Sequence, residues 1–203
     1  MRTPVPVMPS GNAVRFPLAF ICYNQTMQNI EVEIRSFITK EQYNKLLDYF
    51  KKEGRFVKED YQETYYFDAK EDLRIQRNNS YSKIWAKEGK IHDEAREELE
   101  IKFDRNEFEK LEELFLKLGF KVQIKWFRKR NEFNWKGIKV CLDHTRGYGY
   151  IIELEKLCSK NNEKETLNLL KEKLKELKIP LTSREEFEEK FEYYRKNWKE
   201  LII

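Results

Sequence analysis

The sequence predicts an α+β domain, an antiparallel sheet of about eight strands with helices packed outside it. Two observations carry this. Short runs with period-two alternation recur along the chain, mostly next to one another, and four stretches show the wider spacing of amphipathic helices. A third observation bears on function: on most of these strands the charged residues share one face.

Residues 30–37 alternate, Ile30, Val32 and Ile34 against Glu31, Glu33 and Arg35, and read as a strand. Thr39 with Gln42 three residues on is a capping pattern, so a helix follows and runs to Gly54. Strands are expected at 56–67, 73–77, 81–87 and 96–103. A second helix begins near Asn106, aligns Phe108, Leu111, Leu114, Phe115 and Leu118, and stops at Gly119. Strands return at 120–133, 138–142 and 150–157, with Lys136-Gly137 and residues 146–149 as turns. Residues 166–177 read as a third helix, ending before Pro180, and Ser183 caps a fourth that carries Phe187, Phe191, Tyr194 and Trp198.

The first 26 residues differ from the rest. They hold four of the five prolines and no acid, and read as a disordered or non-native extension, which leaves 27–203 as the domain. An edge strand at 18–23 is the competing reading. Forty basic residues against 36 acidic give a net charge of +4, too mild for a duplex-DNA binder. No apolar run approaches the length of a membrane span. Cys22, Cys141 and Cys158 have neither zinc-knuckle nor CxxC spacing, which points to a reducing, cytoplasmic setting.

The charged faces are sorted by sign. Glu31/Glu33, Glu98/Glu100 and Glu153/Glu155 are acid pairs two residues apart, and Asp143 shares a face with Lys139 and Cys141. Arg128/Arg130 and Lys83/Lys87 are basic sets, and Arg74 and Gln76 lie together. Like charges at this spacing repel and add nothing to sheet stability. Together they resemble a site, acids for hard divalent cations and bases for phosphate oxygens. Two architectures fit: an open sheet whose charged face is simply wet, or a sheet closed with that face inward. Burying so many charges is tolerable only if they pair with one another or with bound ions, so a closed form implies a metal-chelated polyanion.

Six elements in order resemble the CYTH superfamily, the triphosphate tunnel metalloenzymes. They are Glu31-Val32-Glu33-Ile34-Arg35 for the family's ExExK; Tyr66-Phe67-Asp68 with Leu73-Arg74-Ile75; Lys87; Arg96, Glu98 and Glu100; Arg128 and Arg130; and Leu142-Asp143 with Gly149, Ile151, Glu153 and Glu155. The resemblance implies a closed, eight-stranded antiparallel β-tunnel (a barrel) with helices outside. It further implies that Glu31, Glu33, Asp143, Glu153 and Glu155 carry Mg²⁺ or Mn²⁺, the first four of them catalytic. Arg35, Arg74, Lys87, Arg128 and Arg130, with Lys83 added, would cradle the phosphates. The implied substrates are ATP, thiamine triphosphate or tripolyphosphate, cyclised in the manner of class IV adenylate cyclases or hydrolysed. Arg35 departs from the family lysine, exchanging a point charge for a planar fork, and Gln76 stands where many members carry an arginine.

Simpler readings stand beside these. Glu98 and Glu100 are equally suited to salt-bridging the basic strands, and His144 in its turn is either a proton shuttle or a packing residue. His92 reads as a solvent-exposed loop residue. Trp85, Tyr148 and Tyr150 are candidates for base stacking or for packing. The last helix either packs on the sheet or serves a homodimer. A non-catalytic polyphosphate or nucleotide binder is the alternative function. A single-stranded RNA binder stacking on Trp85, Trp126 and Tyr81 is a third, opposed by the acid pairs.

Overall fold

The computed structural model describes residues 29–87 and 98–203, with the side chains of Asn29, Lys87 and Glu98 outside that description. The expectations for residues 1–26, the 18–23 strand, Cys22, His92 and Arg96 therefore lie outside the described residues.

The chain runs β1 (Asn29–Ile38), α1 (Lys40–Glu53), β2 (Arg55–Phe67), β3 (Asp72–Arg77), β4 (Tyr81–Lys87), β5 (Glu98–Asp104), α2 (Phe108–Lys117), β6 (Val122–Trp135), β7 (Ile138–Thr145), β8 (Gly149–Ser159), α3 (Glu163–Glu176) and α4 (Arg184–Leu201). Thr39 caps α1 as its spacing predicts: its hydroxyl accepts from the Gln42 N–H, and the Gln42 side chain accepts from the Thr39 N–H.

All eight strands pair antiparallel in the order β1-β8-β7-β6-β2-β3-β4-β5. Closure into the expected barrel is not shown: among the described residues β1 and β5 are the edges of the sheet, and no ladder joins them. Alternation along a strand fixes which face is buried, not which edges exchange hydrogen bonds.

The apolar faces of the strands turn outward to the helices. Val32, Ile34 and Ile38 of β1, with Leu142, Ile152 and Leu154, pack against Tyr43, Leu46 and Phe50 of α1 and Leu170 and Leu174 of α3. Tyr65, Phe67 and Ile75 pack against Phe108, Leu111 and Phe115 of α2. The fourth helix is placed differently. Its Phe187 stacks on Phe37 of β1 at 4.4 Å, while the Tyr194 hydroxyl donates to the Lys125 carbonyl of β6 at 2.9 Å. Helix α4 thus reaches from β1 to β6 across one end of the polar face. Its last turn rests on Gly147 (φ +72°), where a Cβ would meet the Leu201 Cβ at 2.5 Å.

Candidate functional site

The polar faces of the strands enclose a cavity of about 770 Å³. Pairing register orders its wall. Glu33 of β1 lies opposite Glu155 of β8, and Arg35 opposite Glu153. Lys139 of β7 lies opposite Glu155, Arg130 of β6 opposite Asp143, and Arg128 opposite Thr145. Asp60 and Gln62 of β2 flank Arg130 and Arg128, and Arg74 of β3 neighbours Tyr66 and Trp85. Every sequence-predicted site residue with a described side chain lines this cavity: Glu31, Glu33, Arg35, Arg74, Lys83, Arg128, Arg130, Asp143, Glu153 and Glu155. The Lys87 side chain lies outside the described ones.

The centre of the wall is a knot of ion pairs. The Arg130 Nε donates to Asp143 Oδ1 at 2.9 Å and its Nη2 to Asp143 Oδ2 at 2.7 Å, while Nη2 also reaches both Glu153 oxygens at 3.1 and 3.2 Å. Arg128 Nη1 donates to Asp143 Oδ2 at 3.2 Å. Asp143 and Glu153 are only 2% and 7% exposed, so each depends on these cations for stabilisation. Burial opposes ionisation of Glu153, but Arg130, Arg128, Arg35 and Lys139 outweigh it and hold the carboxyl below its ordinary range.

On the β1 side the balance tips the other way. Burial, reinforced by the charge of Glu153, pushes Glu33 up to about 7 against the pull of Arg35 and Arg130. Glu33 keeps 34% of its side chain exposed, so the desolvation is that of a narrow charged cleft, not of a packed core. Glu155 is likewise raised to about 7 by burial and by Glu31, although Lys139 Nζ donates to it at 2.6 Å. Burial and neighbouring carboxylates raise both groups.

On the far wall Arg74 is held by both oxygens of Asp72, at 2.6 and 2.5 Å, and lies over the Tyr66 and Trp85 rings. Lys83 donates to Glu100 Oε2 at 2.6 Å, so Glu100 takes the salt-bridging role and stands apart from the carboxylates of β1, β7 and β8. Gln76 is buried and donates to Thr64 Oγ1 at 2.8 Å. His144 turns away, stacked on Tyr150 at 4.3 Å, which is its packing role; Tyr148 lines the cavity and Tyr150 does not. Phe187 and Phe191 of α4 close in on the wall beside Arg35.

Sequence reasoning missed the contribution of β2, whose Lys58, Asp60, Gln62 and Thr64 line the cavity. Both faces of that strand are polar over this stretch, so alternation carries no parity signal. Lys139 was legible on the charged face of β7 but unassigned.

A sequence model of the CYTH domain matches residues 29–192, most of the chain. The chain belongs to the CYTH family. It is 36% identical over 163 residues, 74% of the chain and 90% of the relative, to a Methanocaldococcus jannaschii protein named "putative adenylate cyclase". Among solved structures it is similar to a conserved protein of Pyrococcus furiosus, with 28% identity, a TM-score of 0.61, and 74% and 91% of the two chains covered. It shares the fold of a Hippeastrum protein described as a "putative adenylyl cyclase" with a dominant triphosphatase activity, at 20% identity, a TM-score of 0.57, and 77% and 92% coverage. No described helix is long and apolar enough to cross a membrane.

Membership of this metalloenzyme family implies a divalent metal, and the wall can be tested for it. Among the described residues no three acid, histidine or cysteine side chains converge as a ready-made cage. The donor chemistry nevertheless fits. Hard oxygen ligands crowd one side of the cavity, where Glu31 and Glu33 of β1 lie beside Glu153 and Glu155 of β8. Glu31, Glu33, Asp143, Glu153 and Glu155 are the lining carboxylates of β1, β7 and β8, with Asp143 and Glu153 sharing the Arg130 guanidinium.

Proposed function

We propose that this CYTH domain is a divalent-metal-dependent enzyme acting on a triphosphate. The observation that carries the reading is one cavity in which carboxylates of β1, β7 and β8 face cations of β3, β4 and β6. Seven cationic and six carboxylate side chains line it, close to neutrality. A triphosphate of about four negative charges is therefore accommodated only with roughly two divalent ions.

In this reading Arg35, Arg74, Lys83, Lys87, Arg128 and Arg130 bind and orient the phosphate oxygens, and Lys58 and Lys139 add to the positive wall. Glu31, Glu33, Glu153 and Glu155, with Asp143, hold the metal side. Mg²⁺ or Mn²⁺, when bound, supplies charge neutralisation at the reacting phosphoryl group. The arginines, fixed in advance by Asp143, Asp72 and Glu153, meet the developing charge without reorganising. The named activities of the relatives support two outcomes, cyclisation of ATP and hydrolysis of a triphosphate.

Incubation with ATP, thiamine triphosphate and tripolyphosphate, each with Mg²⁺ or Mn²⁺, tests the proposal. Orthophosphate identifies hydrolysis, and pyrophosphate with a cyclic nucleotide identifies cyclisation. Folded protein that forms neither from any of the three contradicts it.

A further inference from the structure

Arg128 is held in an unusual way for a cation in this cavity. Arg130 is surrounded by carboxylates, whereas two of the Arg128 donors go to a neutral acceptor. Its Nε and Nη2 both reach Gln62 Oε1, at 2.8 and 2.5 Å. The Gln62 amide is itself oriented: its Nε2 donates to Asp60 Oδ2 at 3.0 Å. Asp60 is buried at 3% exposure, and its other oxygen accepts the Asn79 backbone N–H at 3.0 Å. A buried carboxylate anchored to backbone thus fixes an amide, and the amide fixes a guanidinium.

We propose that Gln62 is a positioning residue for phosphate binding, acting through Arg128; this rests on the triphosphate reading above. Guanidinium has five N–H donors. Gln62 engages Nε and one N–H of Nη2, and Asp143 engages one of Nη1. One donor remains on each terminal nitrogen, the forked pair that matches two oxygens of a phosphate. Because the brace is an amide, it sets the angle of the fork without cancelling its charge, which a carboxylate there would do. Thr145, in register with Arg128 on β7, buries a hydroxyl with no partner among the described residues, so hydrogen-bonding capacity stays unmet beside the fork.

The test is calorimetric binding of inorganic tripolyphosphate with Mg²⁺ to the full chain and to Gln62→Leu, Gln62→Glu, Arg128→Lys and the double variant Gln62→Leu/Arg128→Lys. Thermal melts verify that each is folded. Gln62→Leu is expected to weaken binding about tenfold, as is Gln62→Glu, which keeps an acceptor but neutralises the fork. Lysine has no fork to hold, so Gln62→Leu should add little on top of Arg128→Lys. Gln62→Glu binding as tightly as the wild type, or full additivity of Gln62→Leu with Arg128→Lys, overturns the proposal. Wild-type protein that fails to bind tripolyphosphate overturns the triphosphate reading itself, and this one with it.

Discussion

Replacing Arg130 by leucine should be the most destabilising single change in the cavity wall. The substitution removes the guanidinium that holds Asp143 and Glu153, both nearly devoid of solvent. Breaking a buried ion pair by deleting one partner costs about 3–5 kcal/mol, because the surviving charge is left uncompensated. Here two carboxylates lose the contact, although Arg128 stays near Asp143, so the upper half of that range applies. For a domain of this size each kcal/mol lowers Tm by roughly 2–4 °C, which makes the expected drop about 10 °C or more. The loss should grow as pH rises, since the orphaned carboxyls escape the penalty only when protonated. Thermal melts of wild type and Arg130→Leu across a pH series provide the assay. Added Mg²⁺ or Mn²⁺ should recover part of the loss by supplying positive charge to the same carboxylates. A variant that melts within about 2 °C of wild type at neutral pH would mean that the pairs lie in an environment far wetter than their burial indicates, against this expectation.

Other perturbations follow from the same structure. Glu33 and Glu155, raised to about 7 from an ordinary 4.5, bind more protons folded than unfolded between those values, so they make the metal-free protein less stable as pH rises through that window. His144, lowered by burial, works in the opposite sense just below its ordinary 6.5, so the measurement is the difference between wild type and Glu33→Gln in denaturant melts with chelator; identical pH slopes would contradict it. Gly147→Ala should lose about 3 kcal/mol through both its left-handed φ and the Leu201 clash, whereas Gly149→Ala, strained in φ but facing open space, should lose less; equal losses in urea melts would show that the α4 contact is loose. A chain starting at residue 27 should keep the melting temperature and activity of the full chain, because β1 and the family match both begin at residue 29; loss of either would make the extension part of the domain.

The legible parts of the fold share one property, a strong contrast between the two faces of an element. In β1 and β8 apolar residues alternate with charges, so parity could be read directly, and Glu31, Glu33, Glu153 and Glu155 came out on one side. The Thr39 capping box and the stop at Gly54 are local and needed no tertiary information. Strand β2 lacked such contrast: Glu59, Tyr61 and Glu63 are as polar as Asp60, Gln62 and Thr64, so the strand that braces Arg128 was invisible as part of the site. The closure of the sheet was illegible for another reason. It depends on whether two edges far apart in sequence exchange hydrogen bonds, and strand patterning fixes which face is buried without fixing which edges meet. Glu100 shows the same limit, since pairing with Lys83 across the β4–β5 ladder, not its place in an acid pair, decides what it does.

In the proposed function, opposed carboxylates and cations in one cavity take up a polyanion and divalent metal together. Calorimetric titration of tripolyphosphate into the protein, with Mn²⁺ and then with chelator, tests it most directly, repeated on Glu31→Gln and Glu153→Gln. Binding should be at least about tenfold tighter with the metal, and that gain should shrink in both variants. Equal affinity with metal and with chelator, in wild type and variants alike, would contradict the account.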